Sequence, residues 1–254
     1  MLLIVGAGGV GRAFARRLHE IGEPVGLLRR AHQSINEAFP SWSDIQEVPF
    51  SLIEGAFLCV KDHQIFPTAQ KLLEYLPERC VIVHTAGSVP LSVLSDLYGE
   101  RAGVIYPLQS FIPDETVEWG SFPIFWEGHS QVERWALLLA GGSAVVHHAA
   151  SEERLRIHIG AVFAANFLNA LFHVAERLAM PTGDRRFYLP LAETVLRRLY
   201  TFSPEVTQTG PARRRDILTI DKHYEYLREK FPELAEIYSR LTSYIQEWVC
   251  GGAR

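Results

Sequence analysis

The stretch Leu2–Gly11, LLIVGAGGVG, joins a short apolar run to a glycine-rich turn and decides the fold class. Such a run is typical of a strand buried on both faces in a parallel sheet. Residues Gly6–Gly11 form the pattern G-x-G-x-x-G, apolar residues then recur at helical spacing over Val10–Ile21, and a second apolar run covers Pro24–Leu28. Strand, glycine turn, helix and strand in this order predict a Rossmann dinucleotide-binding domain.

The residues of the turn have predicted roles at the pyrophosphate of the cofactor. Gly6 permits the tight turn, Gly8 lets the backbone approach the phosphates, and Gly11 lets the helix pack closely on the strand. Free N–H groups at the helix N-terminus would then bind the phosphates. We therefore predict that the whole turn binds the cofactor: Gly6, Ala7, Gly8, Gly9, Val10 and Gly11. A strand-to-helix turn that binds nothing is the alternative.

The end of the second strand predicts which cofactor binds. Domains specific for NAD place an Asp or Glu there for the ribose hydroxyls. This chain instead has Arg29 and Arg30, followed by His32 and Ser34. Because guanidinium groups bind phosphate in a planar, bidentate manner, the two arginines favour NADP, with its 2′-phosphate, over NAD. A pair of solvated surface arginines is the alternative.

The alternation of strands and helices continues to about residue 150. Further strands are predicted at 56–60, 80–83, 104–105, 122–126 and 144–147, and helices at 66–76, 91–98 and 132–140. This order predicts an α/β fold, a doubly wound parallel sheet covered on both faces.

After residue 150 the pattern predicts helices only. They are expected at 151–179, ended by Pro181, and at 189–202, 216–230 and 233–249. We therefore predict two domains: a Rossmann NAD(P)-binding domain over 1–150 and a helical substrate and dimerisation domain over 151–254.

The composition is that of an ordinary soluble globular protein. The chain has 254 residues, 48% of them hydrophobic, and a net charge of -4, which disfavours nucleic-acid binding. No secretory signal is predicted, and no apolar run is expected to be long enough to cross a membrane. Three cysteines, with Cys59 and Cys80 in apolar runs, predict buried thiols in a reducing compartment. The expected location is the cytoplasm.

Several further segments, taken together, resemble a known family. They are Val60-Lys61-Asp62, His84-Thr85-Ala86-Gly87, Tyr106–Phe111 (YPLQSF), Ala161–Phe167 (AVFAANF), and Thr209-Gly210-Pro211 with Arg214, Asp216, Thr219 and His223. The chain resembles Rossmann-like proteins that pair an NADP-binding domain with a helical C-terminal domain of unknown function. This family is related to deazaflavin-dependent NADP oxidoreductases and to pyrroline-5-carboxylate reductase. The resemblance implies the fold and the cofactor more firmly than a reaction.

Three positions depart from the patterns of these families. Tyr106 stands where the family usually has His, and Arg215 replaces the glycine of an Arg-Gly-Asp motif. Related hydroxyacid dehydrogenases carry a catalytic Lys four residues before an Asn, and Val162 occupies that position here. Either another residue supplies the proton or no chemistry occurs.

Ligands of open α/β sheets bind beyond the carboxyl ends of the strands. That rule adds Val60, Lys61, His84, Thr85, Ala86 and Gly87 to the predicted cofactor site, and Pro107 and Gln109 to the substrate site. Arg214 follows a rigid turn before a helix that Asp216 could cap, so it is a candidate clamp for a substrate carboxylate. A solvated basic turn is the alternative.

The helix predicted from Ser151 is apolar almost all round, with polar residues in one arc: His158, Asn166, Asn169, His173 and Glu176. Buried polar groups need partners, so the arc either joins a structural network or lines a site. We take His158 and Asn166 as candidate catalytic residues, since imidazole exchanges protons near neutral pH. No metal site is predicted, because the side chains of His147 and His148 diverge on a strand.

The leading hypothesis is an NADP-dependent oxidoreductase that acts on a small carbonyl or imine and dimerises through its helical domain. A non-catalytic NADP(H) sensor is the second hypothesis, and hydride exchange with a deazaflavin partner is the third.

Overall fold

A computed structural model of the chain describes residues 1–30, 37–179 and 184–251. His32, Ser34 and Pro181, named above, lie outside the described residues. The chain divides into two compact units, Met1–Ala165 and Asn166–Arg254. The division lies after Ala165, within the helix Ser151–Ala179, whereas the sequence predicted a boundary at residue 150. The first half of this helix therefore belongs to the first unit.

The described residues of the first unit form one sheet of eight strands in the order β3-β2-β1-β4-β5-β6-β7-β8. Their bounds are β1 Leu2–Val5, β2 Val25–Leu28, β3 Ser41–Trp42, β4 Gly55–Leu58, β5 Val81–His84, β6 Ala102–Pro107, β7 Ile124–Gly128 and β8 Val146–His148. The central strands β1, β4 and β5 are buried along their whole length, as expected of a parallel sheet covered on both faces.

One pair of neighbours departs from the predicted parallel arrangement. Strands β6 and β7 are antiparallel, and every other neighbouring pair is parallel. The connection over 108–123 contains no helix, so the chain returns beside β6 without the crossover that a parallel neighbour requires. The two-residue strand β3 was not predicted.

Four helices cover the two faces of this sheet. They are α1 Gly9–Glu20, α2 Asp62–Leu72, α3 Ser92–Tyr98 and α4 Ser130–Ala140. One buried cluster joins Phe14 of α1 and Trp135 of α4 to the sheet, and the other joins Ile65 of α2 and Leu94 of α3. Because successive strand residues point to opposite faces, the sheet supplies both clusters. The predicted doubly wound α/β fold is confirmed.

The rest of the described chain is helical, as predicted. It contains α5 Ser151–Ala161, a π-helical segment Val162–Phe167, α6 Leu168–Ala179, α7 Leu189–Leu199, α8 Pro204–Thr207, α9 Pro211–Arg214, α10 Ile217–Lys230 and α11 Pro232–Gly251. The predicted cap of α10 is present, since the Asp216 side chain accepts the Thr219 N–H at 3.2 Å.

The helix Ser151–Ala179 corrects one expectation from the sequence. It is 29 residues long and apolar enough to cross a membrane by length and composition, whereas no such run was expected. The first turn of this helix packs on the sheet of the first unit. There the fully buried Arg154 forms an ion pair with Glu127 of β7.

Candidate cofactor and proton-transfer site

The glycine turn between β1 and α1 has no room for side chains at two positions. Gly6 has a φ of 111°, and a β-carbon there would lie 2.4 Å from the Cys59 carbonyl oxygen. A β-carbon at Gly11 would lie 1.9 Å from the carbonyl oxygen of Gly6. Only glycine tolerates both the left-handed backbone and these contacts, so the tight turn and the close packing expected of the motif are present.

The start of α1 is open on the side where a phosphate would bind. Gly8 precedes the helix, no side chain caps its N-terminus, and its first turn contains no acidic residue. A β-carbon at Gly8 would meet nothing within 4 Å. The first N–H groups of a helix have no intrahelical partner and carry partial positive charge, so this open end suits an anion.

A cavity of about 380 Å³ lies beside this turn and brings together the ends of three strands. It is lined by predicted cofactor residues from β1 (Gly6, Ala7, Gly8), β2 (Arg29, Arg30) and β4 (Val60, Lys61). A second cavity, of about 680 Å³, shares both arginines and extends to Ser43, Asp44 and Lys71. Asp44 is a carboxylate that the sequence reasoning did not consider, and its side chain accepts the Gln46 N–H at 3.0 Å.

The loop after β6, which contains the predicted substrate residue Gln109, makes a contact that the sequence did not reveal. A β-carbon at Gly9 would lie 2.3 Å from the Phe111 carbonyl oxygen, so the loop packs directly on the start of α1. Asp114 in this loop pairs with Arg12 at 3.1 Å and with Arg16 at 2.8 Å. Hydrogen bonding from Arg16, together with the charges of both arginines, holds the pKa of Asp114 below its ordinary value.

His84, the last residue of β5, is enclosed by protein and hydrogen-bonded to the turn that follows. His84 is fully buried, and its Nδ1 accepts the Ala86 N–H at 3.2 Å. Burial, followed by the nearby charge of Arg154, lowers the pKa of His84 to about 3. The ring is therefore neutral and enclosed, and its side chain helps to shape the turn, while its place in the cofactor site stays a prediction. The Thr85 hydroxyl donates to the Leu58 carbonyl at 3.5 Å.

His158 lies against the ends of β5 and β6. A β-carbon at Gly87 would lie 2.7 Å from the His158 ring, so only glycine leaves room for the imidazole. The Tyr106 hydroxyl is 3.0 Å from His158 Nδ1, with the two rings edge to face. Burial raises the pKa of Tyr106, which keeps the phenol protonated. Tyr106 is the residue that sequence reasoning noted only as a departure from a family pattern.

A polar network fixes the start of the helix that carries His158. Glu127 of β7 accepts the Ser151 N–H at 3.1 Å and the Ser151 hydroxyl at 2.8 Å, and it pairs with Arg154. Arg154 also donates to the Val89 carbonyl at 2.7 Å, and the Leu91 N–H donates to the Ser151 hydroxyl at 3.0 Å. The network therefore connects β7, the segment after β5 and the first turn of α5.

The other predicted catalytic and substrate residues do not line the cavity beside the glycine turn. Pro107 is buried at the end of β6, and the exposed Gln109 uses its side chain to accept the Ser110 N–H at 2.8 Å. Asn166 and Arg214 belong to the second unit, where both are exposed. The wider turns of the π-helical segment Val162–Phe167 interrupt the regular spacing between His158 and the later members of the predicted arc. Asn169, His173 and Glu176 all lie in α6, where ordinary helical spacing continues.

Comparison with known proteins agrees with the resemblance found in the sequence. Residues 122–245 match the sequence model of a domain of unknown function, DUF2520. The chain superimposes on a provisionally assigned NADP oxidoreductase from Bacteroides fragilis with a TM-score of 0.86 and 28% identity, covering 97% of each chain. No curated protein matches it.

Two more distant structures share the fold. One is a reductive aminase from Aspergillus terreus in complex with NADPH and ethyl levulinate, with a TM-score of 0.70, 16% identity, and coverage of 99% of this chain and 94% of that chain. The other is pyrroline carboxylate reductase from Plasmodium falciparum with NADP bound, with a TM-score of 0.58, 10% identity, and coverage of 96% and 97%. The predicted resemblance to Rossmann-fold NADP oxidoreductases with a helical domain of unknown function is confirmed.

Proposed function

We propose that this protein is an NADP(H)-dependent oxidoreductase that acts on a small carbonyl or imine compound. The observation that carries the proposal is the open, uncapped start of α1, which faces a cavity lined by Arg29 and Arg30. A diphosphate would bind at the helix start and the 2′-phosphate at the arginines. The substrate class is supported by the reductive aminase and the pyrroline carboxylate reductase that share the fold.

The bound cofactor would supply hydride, and the protein would supply orientation and a proton. The usual lysine is absent at Val162, so we assign the proton donor to His158, with Asn166 as its companion in the reaction. Pro107, Gln109 and Arg214 are the proposed substrate contacts, with the guanidinium of Arg214 suited to a carboxylate.

Calorimetric titration with NADPH and NADH tests the cofactor site. Gly8→Asp places a negative charge where the phosphates would bind, so we expect loss of binding by at least about a hundredfold. Replacing Arg29 and Arg30 by Ser should weaken NADPH binding roughly ten- to hundredfold and leave NADH binding nearly unchanged, since only NADPH carries the 2′-phosphate.

Gly142→Asp is the matched control, because Gly142 also has open space around it but lies after α4, away from the cavity. Failure of both coenzymes to bind the unaltered protein, or unaltered affinity in Gly8→Asp, would exclude the site.

A non-catalytic NADP(H)-binding sensor is the second candidate, and Val162 in place of the usual lysine favours it. Incubation with NADPH and a panel of carbonyl and imine compounds separates the two. Oxidation of NADPH supports the enzyme, whereas tight binding with no turnover supports the sensor. A parallel incubation with a deazaflavin coenzyme tests hydride exchange with that partner.

We also propose that a second copy of this chain covers the helical unit in the cytoplasm. In the described part of this unit the buried hydrophobic residues are Ala212, Leu227, Leu234 and Ala235. Many large apolar side chains are exposed, among them Phe187, Leu191, Leu196, Leu199, Phe202 and Leu218. Apolar surface of this extent marks an interface, and a two-fold dimer buries the same face of both copies.

A further inference from the structure

Tyr106 and His158 form a hydrogen-bonded pair with unequal access to solvent. Tyr106 is 9% exposed and lies on β6, whereas His158 is partly exposed on α5. Their bond joins the phenol oxygen to Nδ1 at 3.0 Å. Gly87 packs against the same side of the ring, near Cγ and Nδ1. The backbone and the buried phenol therefore occupy the Nδ1 side of the imidazole, and Nε2 is on the other side of the ring.

We propose that Tyr106 is a positioning residue that holds Nδ1 of His158, so that Nε2 is the atom that exchanges a proton with the substrate. The proposal rests on the proposed function and adds the identity of the reacting atom. A neutral imidazole can place its single proton on either nitrogen, and the hydrogen bond at one nitrogen selects between the two forms.

In the proposed reaction one proton moves from His158 to the substrate. The imidazolium of His158 carries protons on both nitrogens, and Nδ1–H donates to the phenol oxygen. The Nε2–H bond breaks, and its proton goes to the carbonyl oxygen or imine nitrogen of the substrate. Hydride from NADPH forms the new C–H bond and leaves NADP⁺. His158 ends as a neutral imidazole that keeps its Nδ1 proton and its bond to Tyr106, so the ring does not need to turn.

A phenol suits this role better than the histidine that the resembling family usually carries at position 106. A second imidazole can itself take up a proton and change the charge next to His158. Burial raises the pKa of Tyr106, which keeps the phenol neutral. In the proposed step Nδ1 keeps its proton and the phenol oxygen accepts it in both protonation states of His158, so this bond persists.

Nuclear magnetic resonance tests the proposal without any turnover. In protein labelled with ¹⁵N, the imidazole nitrogen shifts report which nitrogen carries the proton, and His158→Gln identifies the signals of His158. We expect the Nδ1–H tautomer in the unaltered protein and a mixture of tautomers in Tyr106→Phe. The Nε2–H tautomer in the unaltered protein, or the same tautomer population in both proteins, would overturn the proposal.

Tyr98→Phe is the matched control. Tyr98 is also buried in the first unit, and its hydroxyl donates to the Ala69 carbonyl at 2.8 Å, away from His158. This variant should leave the His158 signals unchanged. Equal melting temperatures and equal NADPH affinity for Tyr106→Phe and the unaltered protein would show that the fold and the cofactor site are intact.

Kinetics supply the second readout once a substrate is found. Tyr106→Phe should lower kcat roughly ten- to hundredfold with KM nearly unchanged. The loss is smaller than the full rate acceleration of a general acid, because His158 is still present but no longer held in place. Tyr98→Phe should keep its kcat, and unchanged kcat in Tyr106→Phe would overturn the proposal. If no compound oxidises NADPH, the proposed function fails, while the tautomer measurement still decides whether Tyr106 positions His158.

Discussion

The two units of this chain bury apolar surface to very different extents. In the first unit, strands β1, β4 and β5 are buried along their whole length, and apolar clusters cover both faces of the sheet. In the second unit, the one described cluster is small and is centred on Leu227, Leu234 and Ala235. The first core is complete within one chain. The second leaves its apolar side chains exposed, so we expect its stability to depend on a partner copy.

The largest expected effect is at the exposed apolar face of α7. Leu196 lies on this face, and Arg197 lies between Glu193 and Thr194 on the polar side of the same helix. In a two-fold dimer Leu196→Asp would bury two unpaired charges, so we expect the dissociation constant to rise about a thousandfold, or about 4 kcal/mol. Sedimentation over a range of protein concentrations measures it.

Arg197→Asp is the control and should leave the dimer intact, because it introduces the same residue on the polar side. If the unaltered protein is monomeric at all concentrations, the proposed dimer is wrong. The exposed apolar surface of the second unit would then need another explanation.

The second effect concerns the buried ion pair of the first unit. Glu127→Gln leaves the fully buried Arg154 without its counter-charge, so we expect the free energy of unfolding to fall by about 3 kcal/mol. Glu236→Gln is the control, since it removes an exposed ion pair with Arg240 in the second unit. That control should cause little change, because water already screens the exposed pair. Urea denaturation of both variants measures the difference, and equal losses would contradict it.

The smallest effect is at the departure from the Arg-Gly-Asp motif. Arg215 has a φ of 53°, the left-handed conformation that glycine adopts without strain. Arg215→Gly should therefore raise the free energy of unfolding by about 1 kcal/mol. Arg213 lies in the short helix α9, so Arg213→Gly should lower it. A loss of stability in Arg215→Gly, measured by thermal unfolding, would show that contacts of the arginine side chain outweigh the backbone strain.

Most of the fold could be predicted because its signals are local. The glycine turn, the buried strands and the long helices each depend on residues within a few positions of one another. The antiparallel β7 could not be predicted, since its direction depends on how the loop over 108–123 folds back. The π-helical segment gave no signal either, because its sequence, VFAANF, is compatible with an ordinary helix.

The candidate site divides in the same way. The glycine turn and the two arginines were predicted from local sequence, and the structure places Gly6, Ala7, Gly8, Arg29 and Arg30 around one cavity. The pairing of Tyr106 with His158, the enclosure of His84 and the contact of Phe111 with Gly9 were not found. Tyr106 and His158 are separated by 52 positions, and no local pattern predicts a contact at that distance along the chain.

The amino-acid sequence by itself determined the Rossmann architecture, the glycine turn and the helical second half, because short-range periodicity and glycine stereochemistry act within single elements. The tertiary structure decided which imidazole is fully buried, which arginine is buried and which phenol forms a hydrogen bond with His158. Those outcomes depend on packing between distant segments, where one displaced strand or one wider helical turn changes which side chains meet.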